Sequence, residues 1–345
     1  DDTNRKDGKI DGEHSRPAVL ILAAGLGSRL KNNTKSKNKA LVPINNKAII
    51  SHIIEKFSHS YDIVIAVGYK KESLIEYCNI AHSDRNINFI EVDKWEDSNV
   101  GPGYTALKCK EHLQRPFYII TADCLVDGDV PKLDGNWLAV HPTAYPEKYS
   151  TIKVDENSNI IELVNKSENG FDNAFIGLAA IWDYSIFWKE LALDTNNSEL
   201  VSAWYSPKSY PSLKSKNVKW FDTGNLDDIE KAKEHFKDNP LSLHKDIDEI
   251  TYKIANKFLK FNSDANIIKN RTLRGNAIGN LIPTEFYGTT NFISYNWEEG
   301  ITLYEYNSIN IYNKFLSFLD NVIKNSKTWT NPDLIKPFYV DKTRS

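Results

Sequence analysis

"PAVLILAAGLGSRL", residues 17–30, is the stretch on which the reading of this chain turns. An apolar run from Ala18 to Ala24 breaks into two glycines spaced two apart, then a serine and an arginine. Three structures produce such a pattern: the first turn of a dinucleotide-binding βαβ unit, a glycine loop that cradles phosphate in another way, and a strand with a tight turn behind it. A dinucleotide fingerprint requires G-x-G-x-x-G, a helix opening within the motif and an acidic residue about 20 positions on. Leu30 stands where the third glycine belongs, and "KNNTKSKNKALVPI" (31–44) is a polar, lysine-rich segment without helical period. A dinucleotide-dependent oxidoreductase is disfavoured, and G-x-x-x-x-G-K-[ST] is absent. In the phosphate loop, backbone N–H groups face the ligand with Arg29 and Lys39 as counter-charges. On "GLGSR" alone that loop and the ordinary turn stand level.

Composition limits the rest. With 345 residues, 41% hydrophobic and 26% charged, the chain has material for one large or two ordinary globular domains. A net charge of -3 gives no global reason to expect a nucleic-acid partner, so phosphate chemistry must be local. No apolar run approaches the roughly 20 residues that span a bilayer, and a cytoplasmic protein without membrane insertion is expected. Cys78, Cys109 and Cys124 form no C-x-x-C pair and are expected as buried filler rather than disulfides or zinc ligands. Residues 1–16 are polar and aperiodic, and the chain contains no methionine, so the natural start is expected elsewhere.

Along the chain, strand-like runs at 18–24, 62–67, 87–92, 117–123 and 137–142 alternate with helical patterns at 47–58, 71–82 and 104–113. This rhythm predicts an α/β fold: a Rossmann-like, mostly parallel sheet with helices on both faces and ligands beyond the carboxyl ends of the strands. "GLGSR" (25–29) and "TADC" (121–124) both fall there.

The full string "LILAAGLGSRL", eight residues, "KALVPI" resembles the signature of the sugar nucleotidyltransferases, L-A-A-G-x-G-x-R-L, eight residues, K-x-L-x-P. Asn38 stands where that family usually has proline, a departure expected to loosen the loop. "FYIITADCLV" (117–126) is similar to the family strand ending in a metal-holding aspartate, and "WFDTGNLDDIEKA" (220–232) to its W-x-D-T/V-G-T motif, with Asn225 replacing threonine. Taken singly, Asp123 and Asp222 read as a strand-end turn or a helix cap rather than as ligands; their appearance together in register with the loop reverses that reading. The resemblance covers residues 17 to about 238. It implies a nucleotide-binding set of Leu22, Ala23, Ala24, Gly25, Gly27, Ser28, Arg29 and Lys39, with Gly101 and Gly103 of "NVGPGYTALK" (99–108) beside the base. It makes Arg29, Lys39, Asp123 and Asp222 the catalytic group, with Asp123 and Asp222 on Mg²⁺. "IIELVNKSENG" (160–170) is similar to the segment that binds the acceptor's phosphate, which suggests Lys166, with Asn165 and Ser167 departing on either side and a solvated lysine after a strand as the level alternative; Gly177 joins it as a substrate residue.

The resemblance implies that the NMP of an NTP is joined to a phosphorylated sugar or small alcohol phosphate, with pyrophosphate released, for surface polysaccharide synthesis. "GYTAL" is similar also to choline-phosphate cytidylyltransferases and points to CTP. A phosphomonoester is largely ionised at neutral pH, so the attacking oxygen needs no general base. The protein's work is to offset repulsion between anions, a task for cations. The eight histidines show no nucleophile or metal spacing. A catalytically silent binding module of the same fold, within a bifunctional kinase, is the alternative; the oligomeric state is open.

After Asn239-Pro240 the character changes. "YKIANKFLKF" (252–261) is strand-like, "ANIIKNRTLRGNAIGNLIP" (265–283) helical, and "NFISYNWEEGITLYEY" (291–306) reads as two strands around Gly300. This resembles the small lobe of choline- and aminoglycoside-kinase-like phosphotransferases, with Lys260 as the candidate ATP lysine. No H-G-D-type loop follows, and His244 and Asp246 lie ahead of the lobe, so the chain is expected to stop within a second catalytic domain. The expected organisation is therefore a tail at 1–16, a nucleotidyltransferase domain at 17–240 and a partial kinase-like lobe at 241–345.

Overall fold

The computed structural model describes residues 16–97, 100–166, 173–194, 199–237, 248–301, 303–306 and 308–325. Residues 1–15 of the expected tail, Ser167, His244, Asp246 and the boundary at 240/241 lie outside them. The described chain falls into two compact units, one ending at Trp297 and the other beginning at Glu298.

In the first unit the strands β1 (Ala18–Ala23), β2 (Asp62–Val67), β3 (Ile87–Glu91) and β4 (Phe117–Thr121) form a parallel run in the order β3-β2-β1-β4. The helices α1 (Ile49–Ile54), α2 (Lys71–Ala81) and α3 (Pro102–Lys108) lie between them in sequence. Register is fixed by burial on both faces. Val19, Ile21 and Ala23 of β1 enter one apolar cluster, while Ala18, Leu20 and Leu22 enter a second. A strand covered on both sides reads as a continuous apolar run because neither set of alternate residues meets water. The three cysteines are buried and free, in keeping with their reading as filler.

The sheet is mixed rather than mostly parallel. After the short β5 (Cys124–Asp127), β6 (Trp137–Pro142), β7 (Ser150–Val154), β8 (Ile160–Asn165), β9 (Asn173–Ile181) and the helix α4 (Tyr184–Leu191) follow. Strand β9 runs antiparallel to β4, β6 and β7, and β7 runs antiparallel to β8. Buried strands carry the same apolar runs in either direction, so the pattern did not encode this half. The strand β10 (Lys214–Asn217) joins β6 in parallel; β11 (Lys219–Asp222) instead pairs antiparallel with β5, and α5 (Leu226–His235) follows it. The expected helix at 47–58 shortens to α1 because Pro43–Ile44 and Lys47–Ala48 form a hairpin closed by Asn45 at φ 54°.

The small sheet after residue 248 consists of β12 (Glu249–Ile254), β13 (Lys257–Asn262), β14 (Tyr287–Gly288) and β15 (Phe292–Asn296) in the order β12-β13-β15-β14, with α6 (Ala265–Ile278) between β13 and β14. It shares the compact unit and an apolar cluster with the large sheet. The second strand expected around Gly300 does not form: Leu303–Tyr306 is a helical turn in the second unit. Apolar runs this short do not separate the two periods. That unit also holds a helix at Ile309–Asn325.

Candidate active site

The switch in strand order lies at β1, from which the chain proceeds to β2 on one side and later reaches β4 on the other. Ligands collect beyond the carboxyl ends of strands at such a point. There Gly27 takes φ 65°, and a Cβ on it would lie 2.9 Å from Lys39 Cβ and 3.1 Å from Thr34 Cγ2, so only glycine lets the loop fold back onto the lysine. Gly25, by contrast, has open space where its Cβ would stand. Leu30, the residue that breaks the dinucleotide pattern, is buried in the core.

Asn38 fastens the loop rather than loosening it. Fully buried, it donates through Nδ2 to the carbonyls of Ala23 (2.9 Å) and Tyr69 (2.7 Å) and accepts from the Ala40 amide through Oδ1 (2.9 Å). Proline could make none of these bonds. The short 3₁₀ turn Lys39–Leu41 that Asn38 caps aims Lys39 Nζ at Asp123 Oδ2, 2.9 Å away. Arg29 Nη2 lies 3.7 Å from the same oxygen, with its side chain 66% exposed.

The two aspartates meet through β5 and β11. Asp222 lies opposite Cys124, and both the amide and hydroxyl of Thr223 donate to the Asp123 carbonyl at 3.0 Å. Their electrostatics differ. Burial pushes the Asp123 carboxyl up, but the Lys39 ammonium, with Thr121 and Arg29, outweighs burial and holds it at about 2. Asp222 is raised above the ordinary aspartate value by burial and by the Asp123 charge, despite a bond from the Gly224 amide at 2.9 Å and one from Tyr149 Oη at 3.2 Å. One carboxylate saturated by cations beside a second that is short of them suits a divalent cation: the oxygen donors are hard and the crowded negative charge has a use. Among the described residues no group of three or more metal-ligating side chains gathers anywhere. Asp123 and Asp222 are a pair, and such a site leaves coordination positions for substrate and water.

Two cavities flank this pair. The smaller, about 290 Å³, is bounded by Leu22, Ala24, Gly25, Lys39, Gly101 and Asp123, together with Trp95, Val100, Pro102, Thr105 and Thr121. The larger, about 950 Å³, contains Arg29, Lys166 and Asp222. Of the expected nucleotide residues, Leu22, Ala24, Gly25, Lys39 and Gly101 line the smaller cavity, whereas Arg29 lines the larger together with the expected acceptor residue Lys166. Ala23, Gly27, Ser28, Gly103 and Gly177 line neither cavity. Gly177 instead has φ 87° and packs against Thr121, where a Cβ would collide with the hydroxyl. Lys260 is held 2.7 Å from Glu249, which also binds Arg271 at 2.6 Å.

Sequence reasoning missed Tyr149, Trp220 and Trp95. The Tyr149 and Trp220 rings meet edge to face at 5.8 Å in the larger cavity, and Trp95 stands over Tyr69 at the rim of the smaller. Trp220 was quoted as part of a motif but given no role; Tyr149 stands alone in sequence and has no local signature.

Comparison with known proteins bears on the fold. Residues 19–156 match the MobA-like NTP transferase domain. The chain is 31% identical over 230 residues to the bifunctional protein GlmU of Methanocaldococcus jannaschii, covering 64% of this chain and 54% of that protein. It is 39% identical over 107 residues to the choline-phosphate cytidylyltransferase of Streptococcus pneumoniae, covering 30% and 44%. The chain thus spans about half the length, or less, of these relatives. Among solved structures, UDP-glucose pyrophosphorylase complexed with UDP-glucose superposes with a TM-score of 0.55 at 21% identity, over 64% of this chain and 98% of that one. Over that 64% of the chain the fold is that of UDP-glucose pyrophosphorylase.

Proposed function

We propose that the protein is a Mg²⁺-dependent nucleotidyltransferase that joins the NMP of an NTP to a phosphorylated sugar or small alcohol phosphate and releases pyrophosphate. The observation that carries this reading is the approach of Lys39 and Arg29 to Asp123, with Asp222 next to it, between a cavity lined by Leu22, Ala24, Gly25 and Gly101 and one lined by Arg29 and Lys166. CTP is the favoured nucleotide, supported by the similarity to a cytidylyltransferase and by Gly101, Pro102 and Thr105 in the smaller cavity. Production of a surface polysaccharide precursor belongs to the same proposal, as does the kinase-like reading of the small sheet, which its strand order with α6 supports.

In this reaction a phosphate oxygen of the acceptor forms a bond to the α-phosphorus as the bond to the β-phosphate bridging oxygen breaks, and pyrophosphate carries off the electron pair. Asp123 and Asp222 would hold Mg²⁺, which when bound supplies positive charge to the phosphate oxygens. Lys39, fixed by the Asn38 staple, stands where the nucleotide's phosphates enter. Arg29 lines the acceptor side and approaches Asp123, so its guanidinium can bridge the two phosphorylated substrates. Lys166 would neutralise the acceptor's phosphate. The acceptor is already dianionic, and no proton need be removed.

The test is a matrix of four NTPs against phosphorylated sugars and alcohols, read by pyrophosphate release. One nucleotide, CTP, should dominate, with release dependent on both Mg²⁺ and acceptor. No release with any pair would overturn the reading.

A further inference from the structure

Residues of the small sheet line neither cavity, yet the sheet is built into the part of the molecule that carries Lys39. Ile250, Tyr252, Leu259 and Phe292 belong to the same apolar cluster as Leu41 and Tyr77. Tyr252 is fully buried; its hydroxyl donates to the Leu41 carbonyl at 2.7 Å and its ring meets Tyr77 at 4.9 Å. One residue on, the Lys253 amide donates to the Asn46 carbonyl at 2.7 Å. At the start of the loop Lys37 is only 2% exposed: burial lowers its pKa to about 8, and the charge of Asp248, beside β12, acts against that shift. The far edge of the sheet is secured separately, where Glu76 on α2 accepts from the Asn291 amide at 3.0 Å and the Thr289 hydroxyl at 3.2 Å.

The segment 37–46 is therefore gripped from one side by Asn38 and from the other by the small sheet. It needs external anchors, because the 3₁₀ turn Lys39–Leu41 is three residues long and contributes little order of its own.

We propose that the small sheet clamps the active-site loop, and that Tyr252, through the Leu41 carbonyl two residues beyond Lys39, is a positioning residue for the lysine that meets Asp123. The kinetic consequence rests on the nucleotidyltransferase reading; the structural one does not. Loss of the clamp raises the population of open loop conformers, and the fraction of molecules with Lys39 in register falls with it.

The experiment compares the full chain with its Tyr252→Phe, Asp248→Asn and Glu76→Gln variants, each well below its unfolding temperature. Hydrogen exchange is followed at the Leu41 and Val42 amides, which donate to the carbonyls of Asn38 and Lys39, alongside pyrophosphate release. In Tyr252→Phe those two amides should exchange about 5- to 10-fold faster, the scale of one lost hydrogen bond, with β1 and β4 unchanged. The turnover number should fall several-fold. Asp248→Asn should act in the same place more weakly, so the clamp stays testable if Tyr252→Phe does not fold. Glu76→Gln, which loosens only the far edge, should leave both readouts unchanged. A Tyr252→Phe or Asp248→Asn variant with a lowered Tm but parental exchange at 41–42 and parental turnover would overturn the clamp. Faster exchange in a protein with no turnover even in its parental form would uphold the clamp and refute the enzymatic reading.

Discussion

The two cavities on either side of Asp123 and Asp222 are built in opposite ways. The smaller is bounded mainly by apolar residues and glycines, with Lys39 and Asp123 the only charged residues among those described. The larger carries Arg29, Lys148, Lys166 and Lys231 against Glu147, Asp222, Asp227 and Asp228, with the Tyr149 and Trp220 rings among them. The first suits a ligand whose phosphates are held by one fixed cation and by loop amides, the second a phosphorylated ligand recognised by many side chains. Binding of the nucleotide should therefore be sensitive to loop geometry, and binding of the acceptor to individual side chains.

The aspartates that divide the cavities should produce the largest effect when changed. Asp123→Asn should reduce pyrophosphate release by at least about 10³-fold, the upper range for losing one preorganised electrostatic group, while circular dichroism shows the fold retained. Lys39→Met should follow at about 10²-fold, with the KM for the nucleotide rising and that for the acceptor unchanged, because Lys39 reaches only the smaller cavity. A loss shared equally between the two substrates would erase the distinction between the sides. On the acceptor side, Tyr149→Phe should raise the acceptor KM by about 5-fold, the worth of one hydrogen bond, and leave the nucleotide KM alone. Asn38→Ala should have the smallest kinetic effect but lower stability by about 2 kcal/mol, since the buried carbonyls of Ala23 and Tyr69 lose their donor; denaturant unfolding measures it. An unchanged midpoint would mean that the staple contributes nothing to the loop.

The nucleotide side was legible in the sequence because it is nearly contiguous. Leu22, Ala24, Gly25 and Lys39 fall within 18 residues, and the β1 run betrays its burial on both faces, whereas Arg29, expected with them, lines the larger cavity. The acceptor side was legible only at Arg29, Lys166 and Asp222. Tyr149 lies just before β7 and Trp220 on β11, which pairs with β5 outside the large sheet, and the apolar pattern encodes neither pairing. Asn38 was misread for a related reason. Its departure from proline is visible in sequence, but two of its three bonding partners, Ala23 and Tyr69, lie at or just beyond the ends of β1 and β2. The small sheet was found as strands and a helix; its attachment to the Lys39 loop depends on Tyr252, an apolar-pattern residue whose hydroxyl finds its acceptor more than 200 positions away.

The central claim is that Asp123 and Asp222 together hold one divalent cation. Titration of the full chain with Mn²⁺ in the presence of CTP, followed by electron paramagnetic resonance, tests it directly. One bound Mn²⁺ per chain is expected, lost in both Asp123→Asn and Asp222→Asn. Binding should weaken on acidification from a pH above the ordinary aspartate range, because Asp222 is raised and takes up a proton first while Asp123 stays ionised down to about pH 2. Undiminished Mn²⁺ binding in either variant would contradict the account.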